Sequence, residues 1–177
     1  KLMVMGSYCV RNNLTGKTPE SAKLFVFDVG TSQLVAQYEP IPKARRIGPL
    51  IEIAPGKLFT MAADPAGEGR DVLFGFDLDT GRVAFEKRLP FSLVGFPSGG
   101  VGTQEFILGP DGFVWTYAAG HQGDRFCAIV RIDPRTGEVF PMGRVLMRGP
   151  LAFAGKDLYR GPALEGQTLV RYLGIVP

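Results

Sequence analysis

In DVLFGFD, residues 71–77, the apolar side chains Val72, Phe74 and Phe76 fall on every second position. That is the period of a strand with one buried face. Short segments of the same kind follow one another along the chain: LIEIA, KLFTMAA and RVAFEKRL, then EFILG, FVWTYA, CAIVRID and EVFPMGRV. LFVF, at 24–27, is apolar on both sides, as a strand covered on both faces should be. No stretch keeps a 3.6-residue period over three turns, so the pattern predicts strands and no long helix. The apolar runs are far shorter than the roughly 18 residues that span a bilayer, and no membrane span is expected.

The polar positions between these strands repeat. FDVGTSQLV (27–35), FDLDTGRVA (76–84) and IDPRTGEVF (132–140) share a frame of apolar residue, Asp, two variable positions, Thr and a following strand. A second marker, APGKLFTM (54–61), GPDGFVWT (109–116) and AGKDLYRG (154–161), keeps the same phase. An Asp carboxylate accepts backbone N–H groups across a tight turn, and Gly takes the positive φ that such turns need. Asp28, Asp77 and Asp133 are therefore turn residues rather than catalytic ones. Four short strands per repeat with no helix describe the blade of an all-β propeller. Counting strands a to d outward from the axis, residues 1–40 supply b, c and d, and 49–90 and 103–147 supply complete blades. Residues 149–177 then supply a, b and c. Three and a half blades, in one partial domain over 1–177, are fewer than the usual ~4 to 8. The expectation is the C-terminal half of a larger propeller, completed by its missing blades or by a second chain.

GPDGFVW followed by IVRIDPRTGEV resembles the repeats of the streptogramin-lyase-like and NHL-type propellers. LFGFDLDTGRVAFEK is similar to the blade repeat of quinoprotein-like and YVTN propellers. The resemblance implies the propeller fold. The chain departs from it where chemistry would sit: Phe85 occupies the quinoprotein Trp position, and His121 is the one histidine, where the lyase uses more than one. No cofactor is expected.

Composition narrows the function classes. The chain has 20 Lys and Arg against 17 Asp and Glu, a net charge of +3 without a basic block, so no nucleic-acid partner is expected. With 24 Gly and 14 Pro, turns are frequent. Cys9 and Cys127, with a single His, make no zinc set, and no metal site is expected; both read as buried free thiols. Asn13-Leu14-Thr15 is a glycosylation sequon, of consequence only in a secreted eukaryotic protein. The compartment is not fixed, with an extracytoplasmic or secreted setting the expectation. Trp115 and Tyr117 read as packing residues.

The connections fall into two sets. The Asp-Thr and Gly turns are uniformly tight, while CVRNNLTGKTPESA, PIPKARRIG, ADPAGEGRD, AGHQGDRF and PFSLVGFPSGGVG are long and varied. Long loops on a rigid scaffold are where binding groups sit. These carry the candidate ligand-binding residues Arg45, Arg46, Arg70, His121, Arg125 and Arg148, with Arg11, Lys17 and Lys43 beside them. Arg45 and Arg46 precede an inner strand, near the mouth of the expected central channel. Guanidinium groups suit bidentate contact with carboxylate, sulfate or phosphate, and His121 titrates nearest neutral pH. The leading expectation is a module that binds an anionic, carbohydrate-like small molecule or a partner on the long-loop face. Two alternatives stand beside it: a carbohydrate-active or lyase-type enzyme at the channel mouth, and a protein-interaction scaffold.

Overall fold

The structure is a computed structural model and describes residues 1–7, 9, 20–63, 70–91, 93, 105–119, 126–146, 149–162 and 168–176. Every regular element among them is a strand. The first sheet holds β1 (Leu2–Gly6), β2 (Leu24–Asp28) and β3 (Gln33–Tyr38). The second holds β4 (Arg46–Ala54), β5 (Lys57–Ala63), β6 (Val72–Asp77) and β7 (Arg82–Arg88). In the third are β8 (Ile107–Leu108), β9 (Val114–Ala119), β10 (Phe126–Ile132) and β11 (Val139–Leu146). The fourth is β12 (Leu151–Ala154), β13 (Asp157–Arg160) and β14 (Val170–Tyr172). Each strand pairs antiparallel with the next in the chain, a meander of three, four, four and three strands. That grouping agrees with the tally read from the turns.

The chain forms two compact units, Lys1–Ser92 and Leu93–Pro177. In the first, the alternation seen in DVLFGFD does what its period requires. Val72, Phe74 and Phe76 share a core with Leu24, Ile47, Leu58 and Ala62, and Tyr38 packs its ring 5.0 Å from that of Phe76. The first and second sheets thus bury facing sides against each other. In the second unit Trp115, Tyr117, Ile129, Leu151 and Leu158 form the equivalent core, with Trp115 edge-on to Phe153 at 5.4 Å. Burying one such large apolar side chain stabilises by roughly 1.5–3 kcal/mol.

Backbone hydrogen bonds also join the first two sheets. Ile47 N donates to Ser7 O (3.0 Å) and Cys9 N to Arg45 O (2.7 Å), so the chain leaving β1 runs antiparallel to the start of β4. Gly6 lies so close that a Cβ there would collide with the Ile47 carbonyl oxygen. No long-range pairing of this kind is visible in sequence, and it changes one expectation. Arg46 does not precede the inner strand; it is the first residue of that strand, paired with Ala63.

Candidate functional site

At the tight-turn end of each sheet the aspartates are committed to structure. Asp28 Oδ1 accepts from Gly30 N (2.7 Å) and Thr31 N (3.2 Å), and Asp77 Oδ1 from Asp79 N (2.9 Å) and Thr80 N (3.3 Å). Asp133 Oδ1 accepts from Arg135 N at 2.9 Å. Four cations at this end pair with carboxylates. Lys57 Nζ lies 2.7 Å from Asp77, Arg135 Nε 3.1 Å from Asp133, Arg131 3.6 Å from Asp111, and Arg171 Nε 3.0 Å from Asp157. These contacts hold the carboxyls of Asp28, Asp77, Asp133 and Asp157 below their ordinary range. For Asp77 and Asp133 the main cause is the paired cation; for Asp28 and Asp157 it is a backbone N–H, from Thr31 and Gly174 respectively. Carboxylates held ionised in this way are poor proton carriers at neutral pH.

The long-loop end of the second sheet differs. Arg46 opens β4, Ala63 closes β5 opposite it, and Arg70 lies two positions before Val72, the partner of Ala62. Arg45, Arg46 and Arg70 are therefore brought to one end of one sheet. The backbone at Arg45 is firmly held: Arg45 N donates to Ala63 O (3.1 Å), Arg45 O accepts from Cys9 N, and Ala22 N donates to the preceding carbonyl, Ala44 O (2.7 Å). Arg45 and Arg70 are exposed and Arg46 is half-buried. Among the described residues neither Arg45 nor Arg46 has a carboxylate at ion-pair distance, unlike Lys57, Arg131, Arg135 and Arg171. Lys43 stands nearby at φ 61°, its N–H bound to Ser21 Oγ (2.7 Å). His121, Arg125 and Arg148, together with Arg11, Lys17 and Asn13, lie outside the described residues.

Comparison with known proteins bears on the fold. No protein-family model and no curated protein matches the chain. A solved structure titled luciferin-regenerating enzyme is similar. The likeness has a TM-score of 0.51 at 17% identity and covers 93% of this chain and 52% of that one. The chain thus spans about half the length of that structure. At this identity the likeness is one of fold, and with four antiparallel meander sheets it makes the fold propeller-like.

Two features were not singled out from sequence. Asp111, in the GPDG turn, accepts from Phe113 N (3.2 Å) and Trp115 Nε1 (3.2 Å) and faces Arg131, whose guanidinium lies 4.4 Å from the Phe113 ring centre. The cluster locks the turn onto the core, and only pairing of β9 with β10 brings its members together. Tyr117 is buried as expected, but its hydroxyl also donates to Gly149 O (2.8 Å), and burial pushes its pKa up to about 12. Cys127 is a buried thiol, whereas Cys9 is only half-buried; burial raises its pKa, Arg45 opposing.

Proposed function

We propose that the chain is a ligand-binding module of the propeller kind, related in its turns to NHL-type and quinoprotein-like repeats. Its site takes an anionic, carbohydrate-like ligand at the long-loop end. The supporting observation is that strand register brings Arg45 and Arg46 to one end of the second sheet, neither with a carboxylate at ion-pair distance among the described residues. Lys57, Arg131, Arg135 and Arg171 are each paired with an aspartate, while Arg45 and Arg46 stand on a hydrogen-bonded backbone without one. A cation already neutralised gains little from an added anion; one held in place and unneutralised gains a charge-assisted hydrogen bond. Fixing the backbone before binding also lowers the ordering cost. His121, Arg125 and Arg148 complete the proposed ligand set.

The test is titration of the chain with a panel of uronate- or sulfate-bearing oligosaccharides. Replacing Arg45 and Arg46 together by Ala should weaken binding several-fold or more, because a charge-assisted hydrogen bond contributes on the order of 1.5–3 kcal/mol and less where solvated. Affinity should fall with added salt. A neutral sugar bound equally well by the double variant would contradict the reading. The enzymatic alternative turns on His121: turnover lost in His121→Ala, with binding kept, would favour it.

A further inference from the structure

Arg45 and Arg46 are neighbours in sequence, and on a regular strand neighbouring side chains point to opposite faces. The start of β4 departs from that rule. Ala63 pairs with Arg46, and the Ala63 carbonyl oxygen accepts from Arg45 N (3.1 Å), so two residues stand opposite one. The backbone groups of Arg45 also diverge. Its N–H goes to Ala63 on β5, while its C=O accepts from Cys9 N (2.7 Å) on the chain leaving β1. On a regular antiparallel strand both would point to the same neighbour. An extra residue opposite a single partner, with its backbone turned in this way, is a β-bulge.

The flanking residues record the change of phase. Ala44 and Ile47 would fall on opposite faces of an unbroken strand, since an odd number of positions separates them. Both are instead buried, at 0% and 3% exposure, in the core shared with Ala22, Leu24 and Ala62. The bulge lies between them and leaves Arg45 and Arg46 on the side away from that core. Two guanidinium groups on one side repel each other. Among the described residues no carboxylate at ion-pair distance offsets that repulsion. An anion shared by the two relieves it, so the pair gains more from one common ligand group than from two separate ones.

We infer that the bulge makes Arg45 and Arg46 a single clamp, and that the group it takes is the tetrahedral oxyanion of a sulfate or phosphate ester in preference to a carboxylate. The inference rests on the anion-binding reading and narrows its ligand. A carboxylate carries one charge, and one guanidinium in bidentate contact already takes its open edge. An ester sulfate or phosphate has three free oxygens, so it presents more than one edge and receives both forks. A phosphate monoester also carries up to about two charges to set against the two cations. Bulges recur beside active sites because they re-aim side chains, and here the re-aimed side chain is Arg45.

The experiment is calorimetric titration of the chain and its Arg45→Ala, Arg46→Ala and double variants, with strand content checked by circular dichroism. The probes are oligosaccharides of equal length and equal number of acidic groups, bearing only sulfate esters, only phosphate monoesters or only uronates. The parent should bind one of the two esters about tenfold or more tighter than the uronate, and the tighter ester names the group. Either single substitution should cost that ester about tenfold, and the second should add no more than about twofold, because a clamp missing one arm has already failed. Arg46→Lys keeps the charge and the long stem should Arg46→Ala not fold, and it should likewise lose the preference over uronate. Losses that multiply, or a uronate bound as tightly as both esters, would overturn the clamp and leave the anion site standing. Binding of every probe indifferent to both substitutions would overturn the clamp and the anion site together.

Discussion

Ser32 has a φ of 56°, where Gly81 and Gly137 stand at 67° and 70° in the equivalent turns. A residue with a Cβ meets its own backbone there, at a cost of roughly 1–2 kcal/mol, offset in part by the lower unfolded-state entropy of a non-glycine. Ser32→Gly should therefore raise stability by up to about 1 kcal/mol, measured by denaturant unfolding. Gly81→Val and Gly137→Val should lower it by roughly 1–3 kcal/mol without changing ligand affinity per folded molecule. Tyr117 is the second residue with a measurable signature. Its pKa of about 12 in the fold, against roughly 10 unfolded, means that the native state holds the proton more tightly. Stability from this group is present below about pH 10 and lost as pH rises through about 12. Tyr117→Phe should remove that alkaline loss, and should cost about 1–2 kcal/mol at neutral pH by leaving Gly149 O without its donor.

At the scale of elements, the turns are ionic devices. Asp28, Asp77, Asp133 and Asp157 have depressed pKa values, so their contribution is complete above the unfolded aspartate value of about 3.9 and is lost as pH falls through the folded values. Acid unfolding should accordingly begin below about pH 4, and Asp77→Asn should make the thermal midpoint less steeply dependent on pH there. These turns were legible because each is local: an Asp and the N–H groups two and three residues on are fixed by a handful of dihedrals. The strands β5 and β6 were legible from period two for the same reason. The sequence does not announce contacts made by register between distant segments. Arg46 entered β4 because Ala63 faces it, and the Cys9–Arg45 and Ser7–Ile47 bonds tie together segments that share no motif. Ser32 was hidden in a different way, since the Gly that marks the other two turns is missing at that position.

For the whole molecule, the consequential feature is the end of the second sheet where Arg45 and Arg46 meet. Loop length alone suggested which end carries the site. The structure adds that Lys57, Arg131, Arg135 and Arg171 pair with aspartates at the tight-turn end, while Arg45 and Arg46 are held without such partners. Of the candidate arginines, Arg45, Arg46 and Arg70 could be placed together by strand register. The remainder of the proposed set belongs to the long loops, where residue pattern specifies no geometry. Because binding at exposed arginines is screened, raising ionic strength from low to physiological should weaken it while leaving the paired turns intact. The most direct test of the site's location is amide hydrogen exchange on the chain with and without an acidic oligosaccharide. The account predicts added protection at the backbone of Arg45, Arg46 and Ala63, with the turns at 77–81 and 133–137 unchanged. Protection confined to those turns, with 45–47 and 62–63 indifferent to the ligand, would contradict it.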